Sequence, residues 1–304
     1  QVVAEHRAPF GTLDLDTNST KTFNIYGENH EERFRKHKPT PSKALHNQAV
    51  IYFLGCTTAY RHPEIANATS LVLDKLGIST QLLTGQNGEV CCGSPLLRAG
   101  FRNTAKLLAE QNVRAILETG IRTVIATCPG CVRALRKDYP QLGVSLPKNI
   151  KIFHITEYLM KYKRKLAALM QNSWSTNKTE IIQNLTYHDP CHLGRELGVY
   201  DPPRQLLNLI PNTELKEFYH NMDQSDCCGG GGALPKTFPD LAEKITQRRL
   251  ADTMALSSSH LVSACPNCKR HFTETQTQQG LKSLLILDIM ELIAKALKVP
   301  AKAE

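Results

Sequence analysis

Ten cysteines fall into two sets of five with matching internal spacing, and no other feature constrains the chain as tightly. The first set is Cys56, Cys91-Cys92 and Cys128-Pro-Gly-Cys131; the second is Cys191, Cys227-Cys228 and Cys265-Pro-Asn-Cys268. Corresponding cysteines are offset by 135, 136, 136, 137 and 137 residues, and none lies outside the scheme. A repeat this regular marks a duplicated domain. Each copy has to bring the same five sulfurs together.

Three chemistries could use such sets. Disulfides fit poorly: adjacent cysteines such as Cys91 and Cys92 rarely bond, because their Cβ vectors diverge. A chain of 304 residues also buries enough core to need no staples. A structural zinc in each half would take four thiolates from the CC pair and the CxxC, which leaves Cys56 and Cys191 unused. A polynuclear iron–sulfur site accommodates five, because several irons share or bridge thiolates. Iron–sulfur clusters therefore fit best, with zinc or a cubane [4Fe–4S] cluster as the alternatives.

The surroundings repeat as well. Short apolar runs precede the ligands: AVIYFLGC ends at Cys56 and NLTYHDPC at Cys191, while TVIATCPGC and HLVSACPNC lead into the CxxC pairs. Brief, apolar and bounded by turn residues, they read as buried strands. Between them RNTAKLLAEQNVRAILETG and LAEKITQRRLADTMAL carry helical spacing, the first stopped by Gly120. KIFHITEYLMKY and SLLILDIMELIAKAL then supply a further strand and helix in each half. Alternating strands and helices predict an α/β protein of two duplicated, doubly wound, Rossmann-like parallel-sheet domains. In such sheets ligands sit beyond the carboxyl ends of the strands, where Cys56, Cys128, Cys191 and Cys265 are expected. Each CxxC is expected to open a helix whose first N–H groups favour anionic sulfur. Gly93, Gly229 and Gly230, in the run to Gly232, are expected to let backbone approach a cofactor closely. The expected organisation is a polar arm at 1–47, a first domain at 48–178 and a second at 179–304, joined by KRKLAALMQNSWSTNKTE as a bridge.

A formal charge of +9 raises the question of nucleic acid, but the basic residues are scattered and aromatics make up only 6%, so none is expected. Ionised, metal-bound cysteines would cancel much of that charge. With 41% hydrophobic and 21% charged residues the composition is that of a soluble globular protein. There is no run of eighteen apolar residues and no export signal in QVVAEHRAPFGTLDL. A cytoplasmic protein without direct membrane insertion is expected, reaching a membrane only through a partner.

The segments FLGCTTAYRHPEI, CCGSPLLRAG, HDPCHLGR, CCGGGGAL, CPGC and CPNC resemble the tandem cysteine-rich CCG domains, over about residues 48 to 300. Both copies being complete is similar to the heterodisulfide reductase catalytic subunit, whether it stands alone or forms the C-terminal part of a fused polypeptide. The resemblance implies a noncubane [4Fe–4S] cluster in each half, one on Cys56, Cys91, Cys92, Cys128 and Cys131, the other on Cys191, Cys227, Cys228, Cys265 and Cys268. It further implies two clusters facing each other across a pseudo-twofold interface, with a disulfide cleaved, or formed in reverse, between them. Implied partners are a ferredoxin-like iron–sulfur subunit, a flavin subunit or a membrane cytochrome, and a small or protein-bound thiol as substrate. One departure stands out: the fused form carries a ferredoxin-like CxxCxxCxxxCP run that is absent here. The alternative function is an electron-transfer subunit, resembling the CCG proteins of hydroxyacid or glycerol-3-phosphate oxidation, in which a flavoprotein does the chemistry and quinone takes the electrons.

Among other residues, His188, His192 and Arg195 flank Cys191 in YHDPCHLGR. They are candidates for donating protons or meeting an anionic group, and otherwise for hydrogen-bonding the loop and its sulfurs. Asp189 is expected to be a turn or cap residue, and Arg133, Lys269 and Arg270 solvated helix residues. His154 is expected to be a satisfied core histidine, and His62 likewise.

Overall fold

The structure, a computed structural model, describes residues 49–83, 91–176, 184–281 and 283–297. The arm expected at 1–47 and the domain boundary expected at 178/179 lie outside the described residues.

Each half is a four-stranded, all-parallel sheet. In the first half β1 (Val50–Tyr52), β2 (Thr80–Leu82), β3 (Thr123–Ala126) and β4 (Lys151–His154) take the order β2-β1-β3-β4; in the second, β5 (Asn184–His188), β6 (Glu214–Lys216), β7 (His260–Ser263) and β8 (Leu285–Asp288) take β6-β5-β7-β8. The registers correspond: Ile51 lies beside Val124, and Thr186 beside Leu261. In both halves the chain lays its second strand on one side of the first and its third on the other. The switch point, where such sheets open a crevice at their carboxyl edge, therefore falls between β1 and β3 and between β5 and β7.

The principal helices of the first half are α1 (Cys56–Arg61), α2 (Pro63–Lys75), α3 (Ser94–Arg98), α4 (Arg102–Glu118), α5 (Pro129–Arg133), α6 (Ile155–Leu159) and α7 (Lys163–Thr176). Those of the second are α8 (Asp201–Leu207), α9 (Pro239–Ala255), α10 (Pro266–Gln279) and α11 (Ile289–Ala296). Strand alternation decides what each face meets. Val50, Tyr52 and Ile125 point into one core together with Leu185, Tyr187 and Val262 of the second half, while Ile51, Val124 and Ala126 point to the opposite face, into a core with Ala109 and Ile116 of α4. The two sheets thus share one core, filled by α2 packed on α11 and by α8 packed on α6. Those two contacts are related by the repeat, since α2 corresponds to α8 and α6 to α11, and they make the pseudo-twofold relation. Each fully buried Leu or Ile in this core contributes about 1.5–3 kcal/mol.

Three details correct the sequence expectations. The strands before Cys56 and Cys191 are shorter than the apolar runs, ending at Tyr52 and His188. The supposed bridge is helical to Thr176, because Leu166 and Met170, four apart, are fully buried in the shared core. Arg133 and Lys269 are buried rather than solvated. Arg133 donates to Asp138 at 2.7 Å and to Glu196 of the second half at 3.1 Å. Lys269 meets Glu64 of the first half at 2.7 Å and Glu291 at 2.6 Å. Arg270 does lie nearer the surface, against Glu274 at 2.9 Å. No helix among the described residues is long and apolar enough to cross a membrane.

Candidate metal centre

In the first half, β1 runs into Gly55 and Cys56 opens α1. Gly55 has φ +72°, and a Cβ there would lie 2.7 Å from the Cys131 sulfur, so only glycine leaves room for that sulfur. Cys128 caps α5, whose Pro129 has no N–H to lose; the backbone N–H groups of Cys131 and Gly130 reach the Cys128 sulfur. Cys91 and Cys92 precede α3, where Gly93, at φ +74°, donates its N–H to the Cys91 sulfur at 3.5 Å. Asn112 Nδ2 donates to the Cys91 carbonyl at 2.8 Å and Tyr139 Oη to the Cys92 carbonyl at 3.1 Å, fixing the pair from α4 and from the turn after α5.

The second half repeats this plan except at Cys191, which follows β5 in a turn where Cys56 opens a helix. Cys265 caps α10. Gly229 N–H donates to the Cys227 sulfur at 3.3 Å and Gly230 N–H to the Cys228 sulfur at 3.4 Å. Gly229 has φ +82°, and a Cβ on it would meet the Ala242 carbonyl oxygen at 2.5 Å. Arg195 donates to the backbone carbonyls of Asp223, at 3.2 Å, and of Ser225, bracing the loop that carries Cys227. Asp189 is not a simple turn residue. It is buried and held bidentately by Arg204 at 2.7 and 2.8 Å, and it also accepts from Met222 N–H at 2.9 Å.

Nine of the ten sulfurs form a continuous network, with Cys191 outside it. Cys56 touches Cys91, Cys91 touches Cys92, Cys92 touches Cys131 and Cys131 touches Cys128. In the second half Cys227, Cys228, Cys268 and Cys265 follow one another in the same manner. Cys128 and Cys265 join the two runs across the interface between the halves. Thiol donors hold some sulfurs in the thiolate form: Cys91, through Cys56 and Cys92, and Cys128, through Cys131 and Cys265, are both well below the usual thiol range. The donating sulfurs, Cys56 and Cys131 among them, are pushed up by those same hydrogen bonds and by burial.

Donors that are all sulfur except for His188 beside Cys228 and Cys268, mostly buried and served by backbone N–H groups, fit a polynuclear cationic cluster. Thiolates gathered at one site repel one another unless positive charge lies among them. A hard cation seeking oxygen is unsuited to this donor set.

The histidines separate. His188 is buried, edge-on to Phe272 at 5.0 Å, and its ligand atom and the Cys228 and Cys268 sulfurs all lie within 4.8 Å of one another. His192 crosses to the other half: its Nδ1 lies 3.2 Å from where a Cβ on Gly130 would stand. His154 is the satisfied core residue expected, joined to the Thr127 carbonyl at 3.0 Å and to Thr156 Oγ1 at 2.7 Å. His62 pairs with Glu64 at 2.8 Å. Sequence reasoning missed His271, which packs against Gly229 and Gly230; its position one turn after Cys268 was the available signal. It also missed Asp288 beside the Lys269 cluster.

A family model described as a cysteine-rich domain, CCG, matches the chain twice, at residues 50–136 and 185–273. The matching subunit of dihydromethanophenazine:CoB–CoM heterodisulfide reductase from Methanosarcina barkeri is 39% identical over 253 residues, 82% of this chain and 59% of its own length. The matching fumarate reductase (CoM/CoB) subunit from Methanothermobacter marburgensis is 33% identical, over 81% of this chain and 46% of its own length. EtfAB:quinone oxidoreductase from Syntrophomonas wolfei is 28% identical, over 82% and 34%. The chain therefore spans less than two thirds of each of these relatives. Among solved structures, a hypothetical protein from Helicobacter pylori superposes with a TM-score of 0.51 at 11% identity, covering 84% of this chain and 50% of that one, a likeness of fold alone.

Proposed function

Because this chain belongs to the CCG cysteine-rich domain family and carries the domain twice, we propose that it is the subunit of an oxidoreductase complex that cleaves a disulfide reductively, or forms one in reverse, and that each cysteine set would hold a noncubane [4Fe–4S] cluster supplying electrons. The observation that carries this is the meeting of the two cysteine sets at Cys128 and Cys265. Two redox sites adjoining across one interface suit a substrate with two sulfurs. Its relatives include a heterodisulfide reductase subunit and a fumarate reductase (CoM/CoB) subunit, which supports thiol–disulfide chemistry.

The reaction takes R–S–S–R′, two electrons and two protons to RSH and R′SH, the S–S bond breaking as the electrons arrive through partner subunits. When bound, the clusters supply electrons one at a time and iron able to hold sulfur. The chain's own part is to hold and to orient. The two cysteine sets fix the sites on opposite sides of the interface, and the N–H groups of Gly93, Gly229 and Gly230 stabilise anionic sulfur. His192, against Gly130 of α5 in the other half, donates a proton to the departing thiolate. Arg195 keeps the Cys227 loop in place through its carbonyls. The electrons come from a ferredoxin-like iron–sulfur subunit, itself served by a flavin subunit or a membrane cytochrome.

A second reading has one specific support: Cys227 is exposed. An exposed edge suits a plain electron-transfer subunit serving a flavoprotein and quinone, in keeping with the similarity to EtfAB:quinone oxidoreductase. Anaerobic purification with iron, sulfide and zinc analysis, followed by low-temperature EPR of the oxidised protein with and without added thiols, separates these. A brown protein whose EPR signal changes with thiol is expected. An unresponsive signal would leave the electron-transfer role, and a colourless zinc protein would remove both.

A further inference from the structure

The repeat that makes the ligands equal does not extend to their neighbours. At the ligand offsets, His188 corresponds to Phe53, Arg195 to Tyr60 and His271 to Ala134. Phe53 and Ala134 are buried in an apolar core that also holds Cys92 and Cys131. Around the second set, the buried His188 has a ring nitrogen within 4.8 Å of both the Cys228 and Cys268 sulfurs. His271 is 7% exposed, and neither of its ring nitrogens has a hydrogen-bond partner among the described residues, although the ring packs on the Gly229–Gly230 turn that bears the Cys227 and Cys228 sulfurs. An imidazole always carries at least one N–H, and a buried one is costly without an acceptor. Cys227 is exposed, whereas its counterpart Cys91 is buried.

We infer that the two sites are electrically inequivalent, and that the second, lined by His188 and His271 and open at Cys227, has the higher reduction potential. The inference rests on the reading that each set holds a cluster. Adding an electron makes a cluster more negative. N–H donors to sulfur and contact with water both stabilise that charge, so each raises the potential. His188, His271 and the exposure of Cys227 act in the same direction, and they are opposed on the first side only by His192 beside Gly130 and the partly exposed Cys128. The first electron from a partner rests at the second site, and the first site, walled by Phe53 and Ala134, is reduced last. The two one-electron steps are thereby ordered, and His188 acts as a positioning and tuning residue.

Potentiometric titration of the anaerobically purified holoprotein, followed by EPR and visible absorption, tests this without substrate. Two separated waves are expected, and Cys228→Ser assigns them by leaving only the lower. His188→Phe, which copies the first half, should lower the upper wave by about tenfold in the reduction equilibrium, 59 mV for one electron. His188→Gln, which keeps an N–H, should leave it nearly in place. Phe53→His should raise the lower wave and keeps the test open if His188→Phe loses its iron. Coincident waves in the unaltered protein, or both waves standing still in His188→Phe and Phe53→His, would overturn the inference. Separated waves with no EPR response to thiols would end the disulfide reading and leave this one standing.

Discussion

Asp288 ends β8 and caps α11, its Oδ1 accepting from Met290 N–H at 2.9 Å. Its Oδ2 is buried with no hydrogen-bond partner among the described residues. Burial pushes its pKa up from 3.8 to about 8, and the nearby Glu291 and Glu64 add to the effect against the help of Lys269. The carboxyl is therefore neutral in the folded protein at pH 7 but ionised in the unfolded chain. The raised value sets the sign: the folded state holds one proton more, so stability falls as pH rises from about 4 to about 8. This group alone gives a slope of about 1.4 kcal/mol per pH unit. Accumulated to pH 7, it costs about 4 kcal/mol. Asp288→Asn keeps the Oδ1 acceptor and the cap, and removes the titration. Its amide N–H₂ enters the site of the unpartnered Oδ2, which takes back about 1–3 kcal/mol. A net gain of roughly 1–3 kcal/mol at pH 7 is expected, or about 2–8 °C in Tm at this size. The diagnostic is the trend. Melting of the anaerobic holoprotein, followed by circular dichroism from pH 5 to pH 8, should show the gap between variant and parent widening by about 3 °C per pH unit. A gap constant across that range, or one that closes as pH rises, would show Asp288 to be a paired carboxylate and refute the reasoning.

The counterpart cap titrates in the opposite sense: burial pushes His154 down to about 4. Stability is lost as pH falls from about 6.5 toward 4, and His154→Asn should flatten that acid limb in the same melts. Gly55→Ala drives a Cβ to 2.7 Å from the Cys131 sulfur at a positive φ; iron analysis should show the first site emptied, a loss of about half the iron. Cys92→Ser and Cys228→Ser should each remove one cluster and spare the other, so loss of all iron in either would contradict two separately loaded sites. Arg204→Leu strands buried Asp189 without its bidentate partner and should cost about 3–5 kcal/mol in denaturant midpoint experiments.

What could be read from sequence was whatever is local. The duplicated cysteine pattern follows from spacing, and the helices that follow the CxxC pairs and the Gly93 and Gly229 turns follow from residue type within a few positions. The α4 helix was legible for the same reason, its apolar period closing at Gly120. Lys269 was not, because its burial depends on Glu64, 205 residues away. Nothing on α10 itself announces a buried cation, and a lysine in a polar helix is solvated unless another element covers it. Asp189 reads as a turn residue beside Pro190 until Arg204 reaches back to it. Arg133 becomes interior only when Glu196 of the other half closes over it.

The same distinction bears on how the duplicated halves divide their work. Spacing is what five sulfurs around one cofactor demand, so the offsets stay within two residues of one another. The residues behind the sulfurs are free to differ, because Phe53 and His188 both fill a buried position at a strand end without moving a ligand. Two potentials can therefore be set on one ligand frame by exchanging neighbours alone. A symmetric pair would leave the first electron shared between two equal sites, whereas unequal neighbours give it one address. If the halves have diverged for that reason, transplanting His188 and His271 to the positions of Phe53 and Ala134 should bring the two waves together while leaving iron content and fold as they are.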